Sequence, residues 1–275
     1  MTETMIPPRA VRKRYGWRLA WKDLTEAVEL SWFWLALGWN DILQRYRGSM
    51  LGPFWLTLTT AAFIIGLGPL YAQLFGLDMK TYLPYLAIGF TTWGYINNSI
   101  NDSCNTFISA ADTMKQIRLP KLALLFQVIW RNSIVFAHNI PIFVAVIYFF
   151  SPTLTPVVLL AIPGFILVTL NLIWIGLTLA VLCARFRDIT PIVGAIMQIA
   201  FFLTPVIWNL KNHRVDPLYV ALNPFAAYIE LIRAPLLNEV PDPVFVLSAM
   251  GTLAVGSAFA AIIFTRARPR IIYWV

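Results

Sequence analysis

Residues 157–183 read VVLLAIPGFILVTLNLIWIGLTLAVLC, without one charged side chain. A helix needs roughly 20 mostly apolar residues to cross about 30 Å of hydrocarbon, so this stretch reads as a membrane span. Working outward, stretches of the same kind lie at 54–77, 82–107, 122–150, 191–208 and 243–265. Residues 78–81 separate the first two, and 151–156, with Pro152 and Pro156, separate the third and fourth; both read as tight turns. The expected fold is all-α: a polytopic membrane domain with six transmembrane helices and little mass outside the bilayer. Composition agrees, with 59% of the 275 residues hydrophobic and 12% charged, about half the charged share of a soluble domain. A soluble domain could not hide so much apolar surface, and a disordered chain would not carry it.

Lys and Arg outnumber Asp and Glu by 21 to 13. Their placement reads as an orientation signal rather than a nucleic-acid surface. Arg9, Arg12, Lys13, Arg14, Arg18, Lys22, Arg45 and Arg47 precede the first span. Lys115, Arg118 and Lys121 follow the second, Arg185 and Arg187 the fourth, and Arg266, Arg268 and Arg270 the sixth. The opposite side holds Lys80, Lys211, Arg214 and Arg233, and Arg131 lies inside a span. This bias puts both termini of a multi-pass membrane protein in the cytoplasm. Residues 1–30 lack the apolar core of a signal peptide and are expected as a cytoplasmic tail, with 31–275 forming the membrane domain. Cys104 and Cys183 fall near cytoplasmic span ends and are expected as free thiols; no spacing of Cys and His suggests a metal.

On a helical wheel Trp32, Leu35, Trp39, Ile42, Leu43 and Tyr46 share about 100° of arc, with Asn40, Asp41, Gln44, Arg45 and Arg47 opposite. Residues 31–50 are therefore expected as an amphipathic helix in the membrane interface; the alternative is a helix packed on the rest of the domain. Asn97, Asn98, Asn101, Asp102 and Asn105 form a polar stripe on the second span. Such groups are costly against lipid and should face protein or water. On the third span Gln127, Arg131 and His138 share one face. Arg131 is expected to pair with Asp102 or to snorkel outward, and His138 to be a packing residue. Asp102 is the only carboxylate expected inside the spans, which gives proton coupling little support. The loop SAADTMKQIRLPK, 109–121, is short and basic, either a plain connection or a helix that a driving subunit could grip. Between the last two spans, PLYVALNPFAAYIELIRAPLL, 217–237, holds Asn223-Pro224 and an i,i+3 pair, Glu230 and Arg233. It is expected as a re-entrant or interfacial segment at the outer mouth; the alternative is an external cap. No G-x-x-x-x-G-K-[ST] occurs, so any ATP hydrolysis must belong to another polypeptide.

DILQRYRGSMLGPFW, 41–55, resembles the D-x-x-x-R-Y-x-x-S-x-L-G-x-x-W signature that precedes the first span of type-2 ABC exporter permeases for polysaccharides. Arg185-Phe186-Arg187-Asp188, Thr204-Pro205 and Asn223-Pro224 agree with it in order, from about Trp32 to the C-terminus. The resemblance implies a homodimer with two nucleotide-binding subunits, which bind ATP and Mg while this chain holds no cofactor. It implies export of a lipid-linked polysaccharide: O-antigen, capsule or teichoic acid. It assigns coupling to the nucleotide-binding subunit to Ala111, Asp112, Lys115 and Arg118. It assigns the interface helix, against membrane lipid headgroups, to Trp32, Trp39, Arg45, Tyr46 and Arg47. It also implies pore-lining aromatics, by position Phe63, Tyr71, Phe201 and Phe202. Three other readings compete: a permease of the same fold for a smaller amphipathic substrate such as a drug or lipo-oligosaccharide, an intramembrane acyltransferase using His138 beside Asn139, and a passive channel.

Overall fold

The computed structural model describes residues 9–52, 54–150, 155–208 and 222–275. The described residues contain no strand. Apolar runs bounded by turn residues become helices. In chain order these are α1 (Arg9–Glu29), α2 (Ser31–Arg45), α3 (Phe54–Phe75), α4 (Met79–Cys104), α5 (Thr106–Ser109), α6 (Ala111–Gln116), α7 (Lys121–Ala137) and α8 (Ile140–Phe150). A 3₁₀ turn (Pro156–Leu160) then leads into α9 (Ala161–Arg185), followed by α10 (Ile189–Leu203), α11 (Pro224–Leu236), α12 (Pro243–Ala267) and a second 3₁₀ turn (Ile271–Tyr273). The Pro53 and Pro152 turns, His213, Lys211, Arg214 and the outer stretch 209–221 lie outside the described residues.

Among the described residues, four helical stretches are long and apolar enough to cross a bilayer: Phe54–Phe75, Lys121–Phe150, Pro156–Arg185 and Pro243–Ala267. Helix α4 has the length, 26 residues, but its asparagine-rich second half makes it more polar than those four. Helix α10 is apolar but has 15 residues, about 22 Å at 1.5 Å per residue. The expected fifth span, 191–208, thus ends early: Pro205 disfavours helix at the residue before it, and Thr204 is extended (φ −95°, ψ 139°). The expected third span is interrupted at His138 and Asn139. Pro141 offers no N–H to the helical ladder, and Ile142 N–H turns to the Asn139 carbonyl at 2.9 Å. The His138 carbonyl accepts instead from the Thr57 hydroxyl of α3.

Helix α9 is the central element, packed on α4, α7, α11 and α12. Asn171, fully buried on it, has its whole hydrogen-bonding capacity used. Its amide donates to the carbonyls of Leu167 (2.9 Å) and Ala249 (3.1 Å). Its oxygen accepts from Trp174 Nε1 (3.0 Å), Tyr228 OH (2.9 Å) and Thr252 Oγ1 (3.1 Å), so one side chain joins three helices. At Gly164 α9 touches the backbone of α11: a Cβ there would stand 2.2 Å from the Leu231 carbonyl oxygen. Backbone cannot step aside, so Gly164→Ala is expected to destabilise the chain by about 1–3 kcal/mol through overpacking. Gly251→Ala, inside α12 with open space around it, should leave stability unchanged or slightly raised. Thermal unfolding of the two variants in one detergent makes the comparison.

The stretch expected as an N-terminal tail is largely helical and docked. Asp23, with no exposed surface, accepts from the Leu122 backbone N–H at 3.0 Å and from Arg268 Nε and Nη2 at 2.8 Å each. It thereby ties α1 to the start of α7 and the end of α12. Trp34 Nε1 donates to the Ala27 carbonyl at 2.9 Å and fixes the bend between α1 and α2.

Candidate functional site

The polar stripe of α4 meets its counterpart on α7. Arg131 Nη2 lies 2.8 Å from Asp102 Oδ2, and its Nη1 lies 3.0 Å from Asp41 Oδ2. Gln127 Nε2 donates to Asp41 at 2.9 Å and Asn132 Nδ2 to Asp102 at 3.0 Å. The planar guanidinium fork suits a bridge between two carboxylates, which a point charge does not. The three charged side chains are 19–34% exposed, so water screens them only in part. The wheel set Asp41 on the side away from the apolar stripe; of that set Asp41 meets α7, while Asn40, Gln44, Arg45 and Arg47 are exposed.

This junction fixes α2. A Cβ at Gly38 would lie 2.8 Å from the Trp130 ring, Ile42 is buried, and Trp130 Nε1 donates to the Leu35 carbonyl at 3.2 Å. On the other side Trp32, Trp39 and Leu43 are exposed. Arg45 and Arg47 are exposed and Tyr46 half-buried. The expected apolar stripe is therefore divided, with Ile42 packed on protein and the tryptophans left outward.

Helix α6 covers part of the coupling stretch. Asp112, Lys115 and Arg118 are exposed, and Ala111 is half-buried. Met114 is buried in the main core, and α6 packs on the C-terminal 3₁₀ turn. The short helix thus shows charge outward and is anchored inward by one side chain.

Of the four aromatics singled out, Phe63 and Phe201 converge on a ring that sequence reading missed. Phe63 stacks on Phe90 at 5.9 Å, and Phe90 meets Phe201 at 6.4 Å. Phe201 also contacts Trp93 at 5.7 Å and Phe202 at 5.3 Å, and Phe202 is exposed. Tyr71 stands apart, stacked on Phe75 at 5.6 Å. The signal for Phe90 was its spacing: it lies seven and eleven residues before Asn97 and Asn101, hence on one face of α4.

At the opposite end, α11 is buried almost all round. Arg233, 1% exposed, bonds Glu230 Oε2 through Nε at 2.8 Å and donates from Nη1 to the Pro205 carbonyl at 2.7 Å. Its guanidinium lies 3.7 Å from the centre of the Tyr85 ring. Tyr82 OH donates to Ile207 O (2.8 Å), and Tyr85 OH lies near the carbonyls of Pro205 (3.2 Å) and Trp208 (3.1 Å). Asn223 caps α11 and reaches Thr204 Oγ1 at 3.0 Å. The turn residues after α10, 204–208, are therefore held between α4 and α11.

A groove of about 440 Å³ opens between α2, α3 and α7, lined by Trp39, Phe54, Trp130 and His138 among others, with no carboxylate in its lining. His138 Nδ1 sits 2.8 Å from the Ile134 carbonyl, within its own helix. The described residues contain no group of three or more His, Cys, Asp or Glu able to hold a metal.

Comparison with known proteins gives one consistent picture. Residues 33–237 match the family described as ABC-2 type transporter. The chain is 27% identical over 240 residues to the O-antigen export system permease protein RfbA of Myxococcus xanthus, covering 82% of this chain and 88% of that protein. Two Klebsiella pneumoniae proteins of the same name are also similar. One is 25% identical over 178 residues, covering 62% of this chain and 66% of that protein. The other is 24% identical over 214 residues, covering 73% and 78%.

Proposed function

The chain belongs to the ABC-2 type transporter family, and from that premise we propose that it is the transmembrane subunit of an ATP-driven exporter of a lipid-linked polysaccharide. Cargo passes from the cytoplasmic to the outer face of a bacterial inner membrane. The observation that carries this reading is the similarity to named O-antigen export permeases, over 82% of the chain in one case.

In this reading six spans are built from α3, α4, α7 with α8, α9, α10 with the turn that follows it, and α12. Two copies form the conduit. Two nucleotide-binding subunits dock on the cytoplasmic side and supply ATP and Mg chemistry. Asp112, Lys115 and Arg118 on and after α6 meet that subunit. Its movement enters the membrane domain through Met114 and the C-terminal 3₁₀ turn. The Arg131 bridge makes α2, α4 and α7 move together, so the interface helix and the polar stripe respond as one body. Asn98 and the α4 cap residue Asn105, both exposed, offer amides to sugar hydroxyls, and Phe63, Phe201 and Phe202, with Tyr71 at another level, offer flat faces to sugar C–H surfaces. Arg45 and Arg47, near the start of α3, suit lipid headgroups or a glycan-linked pyrophosphate. The buried α11, with residues 204–208 fastened to it, acts as a re-entrant outer closure.

Two measurements test the reading. Cells lacking the protein are expected to accumulate a lipid-linked glycan inside, and the purified complex should show ATPase activity stimulated by that glycan. Stimulation by small amphiphiles alone, without intracellular glycan, would replace the polysaccharide with a smaller substrate. Reversing the charges at α6 (Asp112→Lys, Lys115→Glu and Arg118→Glu) is expected to leave folding unchanged, because all three side chains are exposed. Export should fall steeply and the ATP-binding subunit should no longer co-purify. Full export in the triple variant removes α6 from the coupling path.

A further inference from the structure

Helix α1 begins before the residues matched by the family, 33–237, and its outer face is unusual. Trp17, Trp21 and Val28 are exposed, with Trp21 at 68%. On α2 the exposed large apolar residues are Trp32, at 67%, then Trp39 and Leu43. The intervals along these six positions run four, seven, four, seven and four residues, which is helical periodicity on one face. At the junction Leu30 N–H closes the last turn of α1 on the Glu26 carbonyl at 3.0 Å, and Phe33 N–H opens α2 on the Leu30 carbonyl at 3.0 Å. The same spacing of exposed residues therefore continues on both sides of the bend.

Three observations identify what covers it. First, α1 lies against the ends of two spans. Asp23 bonds the Leu122 N–H at the start of α7, and a Cβ at Gly16 would lie 3.0 Å from Thr265 Cγ2 near the end of α12. Second, α2 leads directly into the membrane stretch Phe54–Phe75, which sets its outward tryptophans at the bilayer surface. Third, residues 9–22 hold Arg9, Arg12, Lys13, Arg14, Arg18 and Lys22 and no acidic residue. Tryptophan favours headgroup depth, and clustered basic residues beside an apolar face favour anionic lipid.

We propose that α1 is a second interfacial helix, and that α1 and α2 together form a bent in-plane collar on the anionic phospholipid leaflet through the stripe Trp17, Trp21, Val28, Trp32, Trp39 and Leu43. Asp23 sets the collar's height by fastening it to the span ends. The proposal rests on the membrane location of the chain and is independent of what the protein exports.

The test is site-directed spin labelling of the full chain in nanodiscs containing phosphatidylglycerol. Cys104 and Cys183 are both buried, and the unsubstituted chain sets the background. Labels at Trp17→Cys, Trp21→Cys and Val28→Cys are expected to collide severalfold more with dissolved oxygen than with a water-soluble nickel chelate. Labels at Lys22→Cys and Glu29→Cys should show the reverse. Replacing phosphatidylglycerol with phosphatidylcholine should reduce the oxygen preference at positions 17 and 21. Nickel access at 17 and 21 equal to that at 22 overturns the proposal. Loss of such access on adding the nucleotide-binding subunit would give the stripe to a protein contact instead. An oxygen preference unchanged between the two lipids overturns the choice of anionic lipid. Because the readout does not use transport, a failed export assay leaves this result standing.

Discussion

Arg131→Met is expected to abolish most transport and to loosen α2 from α7. Methionine keeps an unbranched apolar stem and removes the guanidinium donors that reach Asp41 and Asp102. Asp41 and Asp102 then face each other across a partly shielded gap with no cation between them. Breaking a fully buried pair costs about 3–5 kcal/mol and an exposed pair costs under about 1 kcal/mol. With side chains 19–34% exposed, this junction falls between, at about 2 kcal/mol. Repulsion between the two carboxylates adds to the loss. Arg131→Lys should be intermediate, since an ammonium cannot span both carboxylates in one fork. Adding Asp41→Asn and Asp102→Asn to Arg131→Met removes the orphaned charges and should restore thermal stability without restoring full transport. Unfolding temperature, protease access between α2 and α3, and export decide it. Wild-type values for Arg131→Met in all three would remove the junction from the mechanism.

Arg233→Met is expected to give the largest loss of folded protein. The guanidinium is 1% exposed and does three jobs at once: it neutralises Glu230, donates to the Pro205 carbonyl and lies against the Tyr85 ring. Removing it leaves a carboxylate that is 21% exposed and a backbone carbonyl without its donor, a cost of about 3–5 kcal/mol. Glu230→Gln should also destabilise, since it leaves the buried guanidinium without its counter-charge, but by less, because the Pro205 and Tyr85 contacts survive and the amide oxygen still accepts from Nε. Hydrogen exchange should rise first in residues 204–208, the segment that Arg233, Tyr82 and Tyr85 hold. Equal stability of the two variants would show that the ion pair, rather than the anchoring of that segment, sets the effect.

How much of this was legible varies by residue, for physical reasons. The α4 stripe was readable because helical spacing alone sets which side chains share a face. Arg131 could be matched to Asp102 because adjacent spans bring few charges to the same depth. Asp41 could not, since a wheel separates polar from apolar and says nothing of whether a polar face meets water or another helix. The helix before residue 30 gave no signal because its docking rests on Asp23, one buried carboxylate in a strongly charged stretch. Phe90 was hidden among many span aromatics, and only its neighbours Phe63 and Phe201 single it out. The early end of α10 was written in Pro205, yet apolar content carried the expected span past it to residue 208.

The sequence by itself determined the solvent, the helical class, the polar stripe of α4 and the absence of a phosphate-binding loop. These follow from hydropathy, periodicity and local motifs, which add up residue by residue along the chain. The tertiary structure alone decided that Arg131 bridges two carboxylates, that Arg233 secures the turn after α10, and that exposed tryptophans line up on both α1 and α2. Each depends on which helix faces which across tens to hundreds of residues, as in the bond between Asp23 and Arg268. Close packing fixes that choice. A glycine at a crossing or a carboxylate aimed at a helix end is decided by the shape of the partner, which no local pattern encodes.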